Sequence, residues 1–538
     1  MSTDFDAIII GGGPAGSTAA SLLAIEGKHV LLLEREVFPR AHVGESLLPA
    51  SLPIFDALGI REKISNAGFV EKYGAAMVWG NTREIWSWLF AETKGPYEHS
   101  YQVTRPEFDQ ILLENAGSKG AVVKESCQVI KPLVDDTGTV TGVEYFDEQQ
   151  NLQMASAPIT IDASGQQTLF ANFFGLKNWD NDFRHLALYG YYIGGDHLQP
   201  PDQGSILIES YENGWAWKIP LHNGKSSVGL VLDESWGQEK IKQFGTDALF
   251  AGEIDKLVEI KNLLRSATFD GETILIKDWS YLTKQMTGDG YILVGDAACF
   301  IDPLFSSGVH LALQGGVLAA AYAVTLLEDP QLARSAARQY EATYRRRYGY
   351  FHELARLFYG SNSSLKSQFW TERTISADDW STQSREEFVN IVAGNSPEGY
   401  ERVVIEQGHA PETFVTAIQT AEIERVNRAT KSQDLNNQQL VEGIPQLIEG
   451  ARLVKGAVLG SHKYELGYIL QTDQRPEGYP VITPIALLLN LCDGKRTVEQ
   501  IAEEMQDHLS PDGNEIVTMV VEAVRNLLAD GLVHLAAD

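Results

Sequence analysis

The amino-acid sequence predicts an α/β fold in which a parallel sheet near the N-terminus is interleaved with a mixed β-sheet domain, followed by a mainly helical C-terminal region. Three observations lead to this prediction. Apolar strand patterns alternate with helical ones from residue 6 onward, isolated apolar runs recur near residues 159 and 291, and helix-period spacing dominates toward the end. The 538 residues, 44% of them hydrophobic, suffice for several ordinary globular domains.

The composition disfavours several kinds of partner and site. Acidic residues outnumber basic ones by 72 to 43, and a net charge of −29 disfavours binding to nucleic acid or to an anionic membrane. The N-terminus lacks the basic region of a signal peptide, and the apolar stretch 308–327 contains His310, which indicates a buried helix. No CxxC pair occurs, so we expect no disulfide framework and no metal site. These features predict a soluble, cytoplasmic protein. The three cysteines are Cys127, Cys299 and Cys492.

The first residues carry a dinucleotide-binding pattern. An apolar strand precedes the motif GGGPAG at residues 11–16, and an Ala/Leu-rich helix and a second apolar strand follow, ending at Glu34. The first glycine of the motif permits a tight turn, the third lets backbone approach a pyrophosphate, and the last lets helix and strand pack closely. The helix N-terminus offers N–H groups to phosphate oxygens, and the glutamate can accept from ribose hydroxyls. The predicted contacts are Gly11, Gly13, Ala15, Gly16 and Glu34.

Two later segments favour FAD over a nicotinamide dinucleotide. One apolar run ends in Gly295-Asp296 and another ends in Asp162. A distant strand that returns to the nucleotide with Gly-Asp suits a ribityl chain, whose hydroxyls need a carboxylate. The combination resembles the FAD-binding Rossmann-like fold of the aromatic hydroxylase type. Without a cofactor role, Arg105 and Asp109 would form only a surface i,i+4 ion pair. The resemblance implies that the further cofactor-binding residues are Arg40, Ser46, Arg105, Asp296 and Pro303.

The segment GWAWKIP at residues 214–220 distinguishes this chain from other flavoproteins. Its two tryptophans share one face of a predicted strand, an arrangement that also suits plain cross-strand packing. Beside the glycine motif, however, WxWxIP resembles the flavin-dependent halogenases. Three further segments agree with that family: VGESLLP at 43–49, FxxKxG at 69–74 and DPLFSSGVH at 302–310. The resemblance covers about the first 400 residues.

The resemblance implies a reaction. In this family, reduced flavin and O₂ oxidise chloride or bromide to hypohalous acid, which crosses a tunnel to a lysine beside the substrate. Lys72 matches that lysine, and its amine either hydrogen-bonds the hypohalous acid or becomes a haloamine. A lone lysine is otherwise most often a solvated surface charge. Ser307 and Gly308 match the backbone halide site, at a helix N-terminus. The implied motif and tunnel residues are Trp215, Trp217, Ile219, Pro220 and Phe305.

Phe305 is a departure from the tryptophan-halogenating branch, which carries a glutamate at this position to activate a weakly reactive indole carbon. Phenols and pyrroles carry their own activation, so the sequence predicts an electron-rich phenolic or pyrrolic substrate, either free or tethered to a carrier protein or peptide. A separate flavin reductase is expected, because no second GxGxxG motif serves a nicotinamide. Three alternatives stay open on this scaffold: an FAD monooxygenase, an isoprenoid-type reductase and a flavin-binding scaffold without turnover.

We predict three regions: a halogenase core at residues 1–395, a helical linker at 396–452 and a winged-helix-like domain at 453–538. In the last region, Thr497 and Gln500 predict a capping box at the start of the second of three helices. Its many acidic side chains argue against DNA. This domain therefore either caps the substrate cleft or binds a peptide or carrier-protein partner.

Overall fold

The computed structural model describes residues 3–79, 84–92, 97–361, 430–473, 475–481, 483–509 and 513–536. The chain forms two compact units, one made of Met1–Leu327 and Thr343–Pro411 and the other of Glu328–Ala342 and Glu412–Asp538. The predicted boundary at residue 395 lies outside the described residues, and the predicted boundary at residue 452 falls within the second unit.

The helices and strands of the first 361 residues are, in chain order, β1 (Ala7–Ile10), α1 (Pro14–Ile25), β2 (Val30–Leu33), α2 (Leu52–Leu58), α3 (Arg61–Asn66), β3 (Val70–Lys72), β4 (Gly74–Val78), β5 (Ile85–Leu89), β6 (Ser100–Gln102), α4 (Arg105–Ser118), β7 (Val122–Lys124), β8 (Gln128–Val134), β9 (Val140–Phe146), β10 (Leu152–Ser156), β11 (Ile159–Asp162), α5 (Leu169–Phe173), β12 (Lys177–Ile193), β13 (Ile206–Tyr211), β14 (Gly214–Pro220), β15 (Lys225–Asp233), α6 (Glu234–Phe244), α7 (Thr246–Ile254), α8 (Glu259–Leu263), β16 (Thr268–Thr283), β17 (Thr287–Gly288), β18 (Tyr291–Leu293), β19 (Cys299–Phe300), α9 (Ser307–Glu328) and α10 (Pro330–Ser361). The later elements are α11 (Asn437–Glu442), β20 (Pro445–Leu447), β21 (Arg452–Leu459), β22 (Tyr464–Thr472), β23 (Arg475–Val481), α12 (Thr483–Leu491), α13 (Val498–Leu509), α14 (Gly513–Ala529) and β24 (Val533–Leu535).

A six-stranded sheet with the order β17-β18-β11-β1-β2-β7 carries the nucleotide motifs. All its neighbouring pairs are parallel except β17 and β18. Strands β1, β2 and β11 are buried along their whole length, which is why they appear in the sequence as continuous apolar runs. Because the carboxyl ends of parallel strands meet at one edge, the fold brings the glycine turn after β1, Glu34 after β2 and the Gly-Asp pair after β18 together.

An eight-stranded mixed sheet with the order β19-β16-β12-β15-β14-β13-β4-β5 forms the other half of the first unit. Its only parallel contact between described strands joins β13 to β4. Along β14 the side chains alternate between the two faces. Ala216 belongs to a buried apolar cluster that includes Phe250 of α7, so the tryptophans of β14 face the opposite side.

The second unit contains the helices that the sequence predicts and a sheet that it does not. The predicted capping box is confirmed: Thr497 N–H donates to Gln500 Oε1 at 3.0 Å, and Gln500 N–H donates to Thr497 Oγ1 at 3.3 Å. Strands β21, β22 and β23 form an antiparallel sheet within the region predicted to be mainly helical. Burial along β21 and β22 follows no strict alternation, so the period of two that marks a strand is weak in the sequence.

Helix α9 accounts for the apolar stretch 308–327. It is the one helix among the described residues that is long and apolar enough to cross a membrane, and 78% of its apolar window is buried inside the chain. Such burial is typical of a core helix, as the sequence predicts.

Candidate active site

A cavity of about 490 Å³ lies at the carboxyl edge of the parallel sheet, a volume suited to a small molecule or cofactor. Most of the predicted site residues line it. These are Gly11, Gly13, Ala15, Glu34, Arg40, Ser46, Arg105, Trp215, Trp217, Ile219, Asp296, Pro303, Ser307 and Gly308. The other four, all within the described part of the chain, lie outside its lining: Gly16, Lys72, Pro220 and Phe305.

The glycine turn has the geometry that its motif predicts. Gly11 has a φ of +98°, and a Cβ there would fall 2.4 Å from the carbonyl oxygen of Ala163. A Cβ on Gly16 would fall 2.0 Å from the carbonyl oxygen of Gly11. Gly16 therefore serves the close packing of α1 on the turn, which explains why it does not reach the cavity. The first N–H groups of α1 have no partner within the helix and are available to an anion.

Glu34 is held at the end of β2 by backbone donors. Its Oε2 accepts from the N–H of Gly12 at 2.6 Å, and its Oε1 accepts from the N–H of Glu36 at 2.9 Å. The second glycine of the motif thus orients the carboxylate, a role that sequence reasoning did not assign. Each oxygen keeps a lone pair for a ribose hydroxyl.

The pair of Arg105 and Asp109 is buried, so the interpretation as a surface ion pair is wrong. Nε and Nη2 of Arg105 donate to the two carboxylate oxygens of Asp109, each at 2.8 Å. Arg40 adds a second cation, with its Nη1 3.3 Å from Asp109 Oδ2. Nη1 of Arg105 also donates to the carbonyl of Val43. The arginine therefore joins α4 to the VGES loop that lines the cavity.

Two carboxyl groups in the cavity have raised pKa values. Burial raises the pKa of Asp296 to about 6, against the opposing effect of Arg105. Burial likewise raises the pKa of Glu45 to about 7, against hydrogen bonds from Ser227 and Tyr191. The Tyr191 hydroxyl donates to Glu45 Oε1 at 2.9 Å. The sequence analysis named Glu45 only as part of the VGESLLP segment and gave it no role of its own. The signal that the sequence offered was an acidic residue between a glycine and a serine in that loop.

The tryptophans of β14 form one wall of the cavity, with ring centroids 6.0 Å apart. Trp217 Nε1 donates to Ser227 Oγ at 3.3 Å. Its ring crosses Gly229 on β15, where a Cβ would fall 2.1 Å from the indole. Only a glycine at that cross-strand position leaves room for the ring, so Gly229 is a site residue that the sequence analysis missed. We refer to Trp215 and Trp217 as the indole wall.

Pro303, Ser306, Ser307 and Gly308 form a second part of the lining. We call the segment Pro303–Gly308 the halide turn, after the halide site that the family resemblance implies. Asp302 precedes it and accepts from the N–H of Leu304 at 2.9 Å. Ser306 has a φ of +57°, and α9 begins at the next residue. The first N–H groups of α9 lack partners within the helix, and the positive end of the helix dipole lies at the same terminus. An ideal Cβ on Gly308 would have no described heavy atom within 4 Å, so the backbone there is open.

Lys72 is buried, with a relative exposure of 2%, so the alternative of a solvated surface charge is wrong. Its Nζ donates to the carbonyl oxygen of Leu47 at 3.0 Å and lies 5.4 Å from the ring centroid of Phe90. Burial lowers the pKa of this amine to about 7. Leu47 directly follows Ser46, which lines the cavity. The Lys72 amine is therefore held beside the VGES loop but outside the cavity.

The residues around the cavity fit FAD. A side chain in place of Gly11 would clash with the turn, the start of α1 offers N–H groups for a pyrophosphate, and Glu34 and Asp296 offer carboxylates for sugar and ribityl hydroxyls. The model of the tryptophan halogenase family matches residues 6–99 and 91–418. The chain belongs to this family. It is thus a flavin-dependent halogenase, an oxidoreductase that uses reduced FAD to halogenate compounds of secondary metabolism.

Individual relatives agree with this membership. The halogenase is 34% identical over 378 residues to a tryptophan 2-halogenase of Chondromyces crocatus, covering 69% of this chain and 71% of that protein. It is 31% identical over 398 residues to the 1H-pyrrole-2-carbonyl-[peptidyl-carrier protein] chlorinase of Pseudomonas fluorescens, covering 67% of this chain and 84% of that protein. Among solved structures, the flavin-dependent halogenase CmlS is similar with a TM-score of 0.75 and 28% identity, over 99% of this chain and 96% of that chain. Family membership removes the reductase, the monooxygenase and the inactive scaffold as alternatives.

Proposed function

We propose that the halogenase transfers chlorine or bromine to an electron-rich phenolic or pyrrolic ring, and that Lys72 delivers the halogen. The observation that carries this proposal is a fully buried lysine whose pKa burial lowers to about 7. None of the described carboxylates pairs with its amine. Burying a lysine without a counter-ion destabilises a fold, so a chemical task is the reason to keep one.

Near neutral pH, the Lys72 amine is present in comparable amounts as ammonium and as free base. As ammonium it donates a hydrogen bond to the oxygen of hypohalous acid, which makes the halogen more electrophilic. As free base its lone pair takes the halogen, so that an N–halogen bond forms and the halogen–oxygen bond breaks; the departing hydroxide takes one proton from the nitrogen and leaves as water. The ring carbon then takes the halogen from nitrogen and loses a proton. In both forms the Leu47 carbonyl holds the amine in place.

The halide turn supports capture of the anion. The net charge of −29 repels anions over the whole surface, so attraction has to be local. The N–H groups of Ser307 and Gly308 at the start of α9 supply it, without a charged side chain. Bound FAD in its reduced form, together with O₂, supplies the oxidising power. We infer that the indole wall lies between the flavin and the tunnel, where it would keep the organic substrate away from the flavin.

Phe305 supports the assignment of the substrate class. It is 6% exposed and brings no carboxylate to the position where the tryptophan branch has a glutamate. The relatives named above act on both kinds of ring, one on tryptophan and one on a carrier-bound pyrrole. The missing carboxylate favours the pyrrole and phenol side, because an activated ring needs no added base.

A substrate panel tests this proposal. The enzyme is incubated with a flavin reductase, NADH, FAD, bromide and one of four substrates: a phenol, a free pyrrole, a carrier-tethered pyrrole or tryptophan. Mass spectrometry then reads the two-line bromine isotope pattern of the product. We expect bromination of phenol or pyrrole at several times the rate of tryptophan. Faster bromination of tryptophan would overturn the substrate class, and addition of oxygen instead of bromine would overturn the reaction.

The same panel tests the role of the C-terminal domain predicted at residues 453–538, for which we propose closure of the substrate cleft. Equal rates on the free and the carrier-tethered pyrrole support that role. Activity restricted to the tethered pyrrole contradicts it and supports the alternative, docking of a carrier protein.

We further propose that reduced FAD comes from a separate flavin reductase. NADH and FAD without the reductase should then give no product.

A further inference from the structure

Tyr359, near the end of α10, hydrogen-bonds to two separate parts of the cavity lining. Trp215 Nε1 donates to its hydroxyl oxygen at 2.5 Å, and the hydroxyl donates to Asp302 Oδ2 at 2.9 Å. Trp215 belongs to the indole wall, and Asp302 precedes the halide turn. Both line the cavity, whereas Tyr359 is not among its lining residues in the described part of the chain. The phenol of Tyr359 therefore connects the indole wall to the residue before the halide turn from outside the cavity.

The direction of these hydrogen bonds is determined by chemistry. An indole N–H can only donate, and the carboxylate oxygen of Asp302 accepts. The Tyr359 hydroxyl must therefore accept from Trp215 and donate its single proton to Asp302. The other carboxylate oxygen, Oδ1, accepts from the N–H of Leu304. An unbroken path of three hydrogen bonds thus runs from the indole wall to the backbone of the halide turn.

Aromatic side chains from strand β12 and from the residue after β4 hold the phenol ring. His185 on β12 stacks on it, with centroids 5.1 Å apart and planes 17° apart. Phe183, on the same strand, meets it edge-on at 5.5 Å, and Trp79, after β4, does so at 6.4 Å. His185 Nδ1 also lies 3.4 Å from Asp302 Oδ2. A ring packed on several sides cannot turn away, so its hydroxyl acts as a rigid spacer.

We propose that Tyr359 is a positioning residue for halogenation, whose hydroxyl sets the distance between the indole wall and the halide turn. The inference rests on the halide turn and the indole wall proposed above. Replacing Tyr359 with phenylalanine keeps the packed aromatic ring and removes only its hydroxyl group. The turn can then shift relative to the wall, which weakens halide binding and lets oxidising equivalents escape as hydrogen peroxide. FAD contacts through the glycine turn and Glu34 stay intact.

The test compares Tyr359→Phe with Tyr211→Phe. Tyr211 on β13 is also buried, places its hydroxyl beside Glu253 and does not line the cavity. For each variant, the KM for bromide, the kcat, the split of reduced flavin between brominated product and hydrogen peroxide, and Tm are measured. We expect Tyr359→Phe to raise the KM for bromide about tenfold and the peroxide fraction several-fold, the effect of one lost charge-assisted hydrogen bond. Tyr211→Phe should change Tm alone.

A KM and a peroxide fraction of Tyr359→Phe within twofold of wild type would overturn the inference. If that variant does not fold, Trp215→Phe removes the same hydrogen bond from the other side and should give the same rise in KM. In a double-mutant cycle the two changes should not add, because each breaks the same path; additive effects would overturn the inference. A wild-type enzyme without saturable bromide dependence would instead contradict the proposed halide turn.

Discussion

The Nζ atom of Lys72 lies 3.0 Å from the carbonyl oxygen of Leu47, so the FxxKxG segment is hydrogen-bonded to the VGESLLP segment. Val43, Gly44, Glu45 and Ser46 of the latter line the cavity that fits FAD. The lysine is thereby held one residue beyond the lining of the cofactor site. Its surroundings exclude water, which makes its amine a weaker base than a surface lysine.

The transfer step should depend on pH with a midpoint near 7. Burial lowers the pKa of Lys72 to about 7, so the free amine forms as pH rises through that value. If the amine carries the halogen, product per hypohalous acid should be about tenfold lower at pH 6 than at pH 8.5. Glu45 also has a pKa of about 7, so hypohalous acid must be measured in parallel with a chemical trap. A ratio that falls as pH rises would instead favour the hydrogen-bonded ammonium over the haloamine.

Replacing the lysine should stabilise the protein. The folded pKa is about 7 and the ordinary value is 10.5, so the unfolded chain binds more protons between these values and the wild type gains stability as pH rises. Lys72→Met should therefore exceed the wild type in unfolding free energy, by about 2 kcal/mol more at pH 7 than at pH 9. Denaturant titrations at the two pH values measure this difference. An equal difference at both values would mean that Lys72 is not a buried amine.

Gly308→Ala tests the halide turn. A methyl group at Gly308 meets no described heavy atom within 4 Å and points into open space at the start of α9. It should leave Tm unchanged but occupy room beside the backbone donors, raising the KM for bromide by about tenfold, as for a lost hydrogen bond to a charge. Gly252→Ala in α7, which is equally unobstructed, is the control. A KM equal to that of the control would place the halide elsewhere.

Asp109→Asn tests the buried arginine cluster. The carboxylate holds Arg105 and Arg40 in the cavity wall, and its loss leaves two cations without their partner. Removing one member of such a buried pair costs about 3–5 kcal/mol of stability and should also weaken FAD binding. Asp56→Asn is the matched control, because Asp56 pairs with Arg61 in the same two-pronged geometry at the surface. Equal losses in the two variants would contradict the structural role of Asp109.

The nucleotide half of the fold was predictable because its signals are local. Apolar runs mark β1 and β2, and glycines mark the turn between them. The depth of Lys72, Asp109 and Glu45 was not predictable, since burial depends on which distant elements cover a residue. Tyr359 was hidden for another reason: α10 carries several similar tyrosines, and only the fold shows which one meets Trp215 and Asp302.

The most direct test of the central claim is the product of Lys72→Met under the bromide assay. The control is Lys218→Met: Lys218 is also buried, its pKa is lowered to about 8, and it lies on the face of β14 opposite the indole wall. Mass spectrometry follows the brominated product, and a chemical trap follows hypobromous acid. The account predicts brominated product from the wild type and from Lys218→Met, and none from Lys72→Met although hypobromous acid still forms. Normal bromination by Lys72→Met would contradict it.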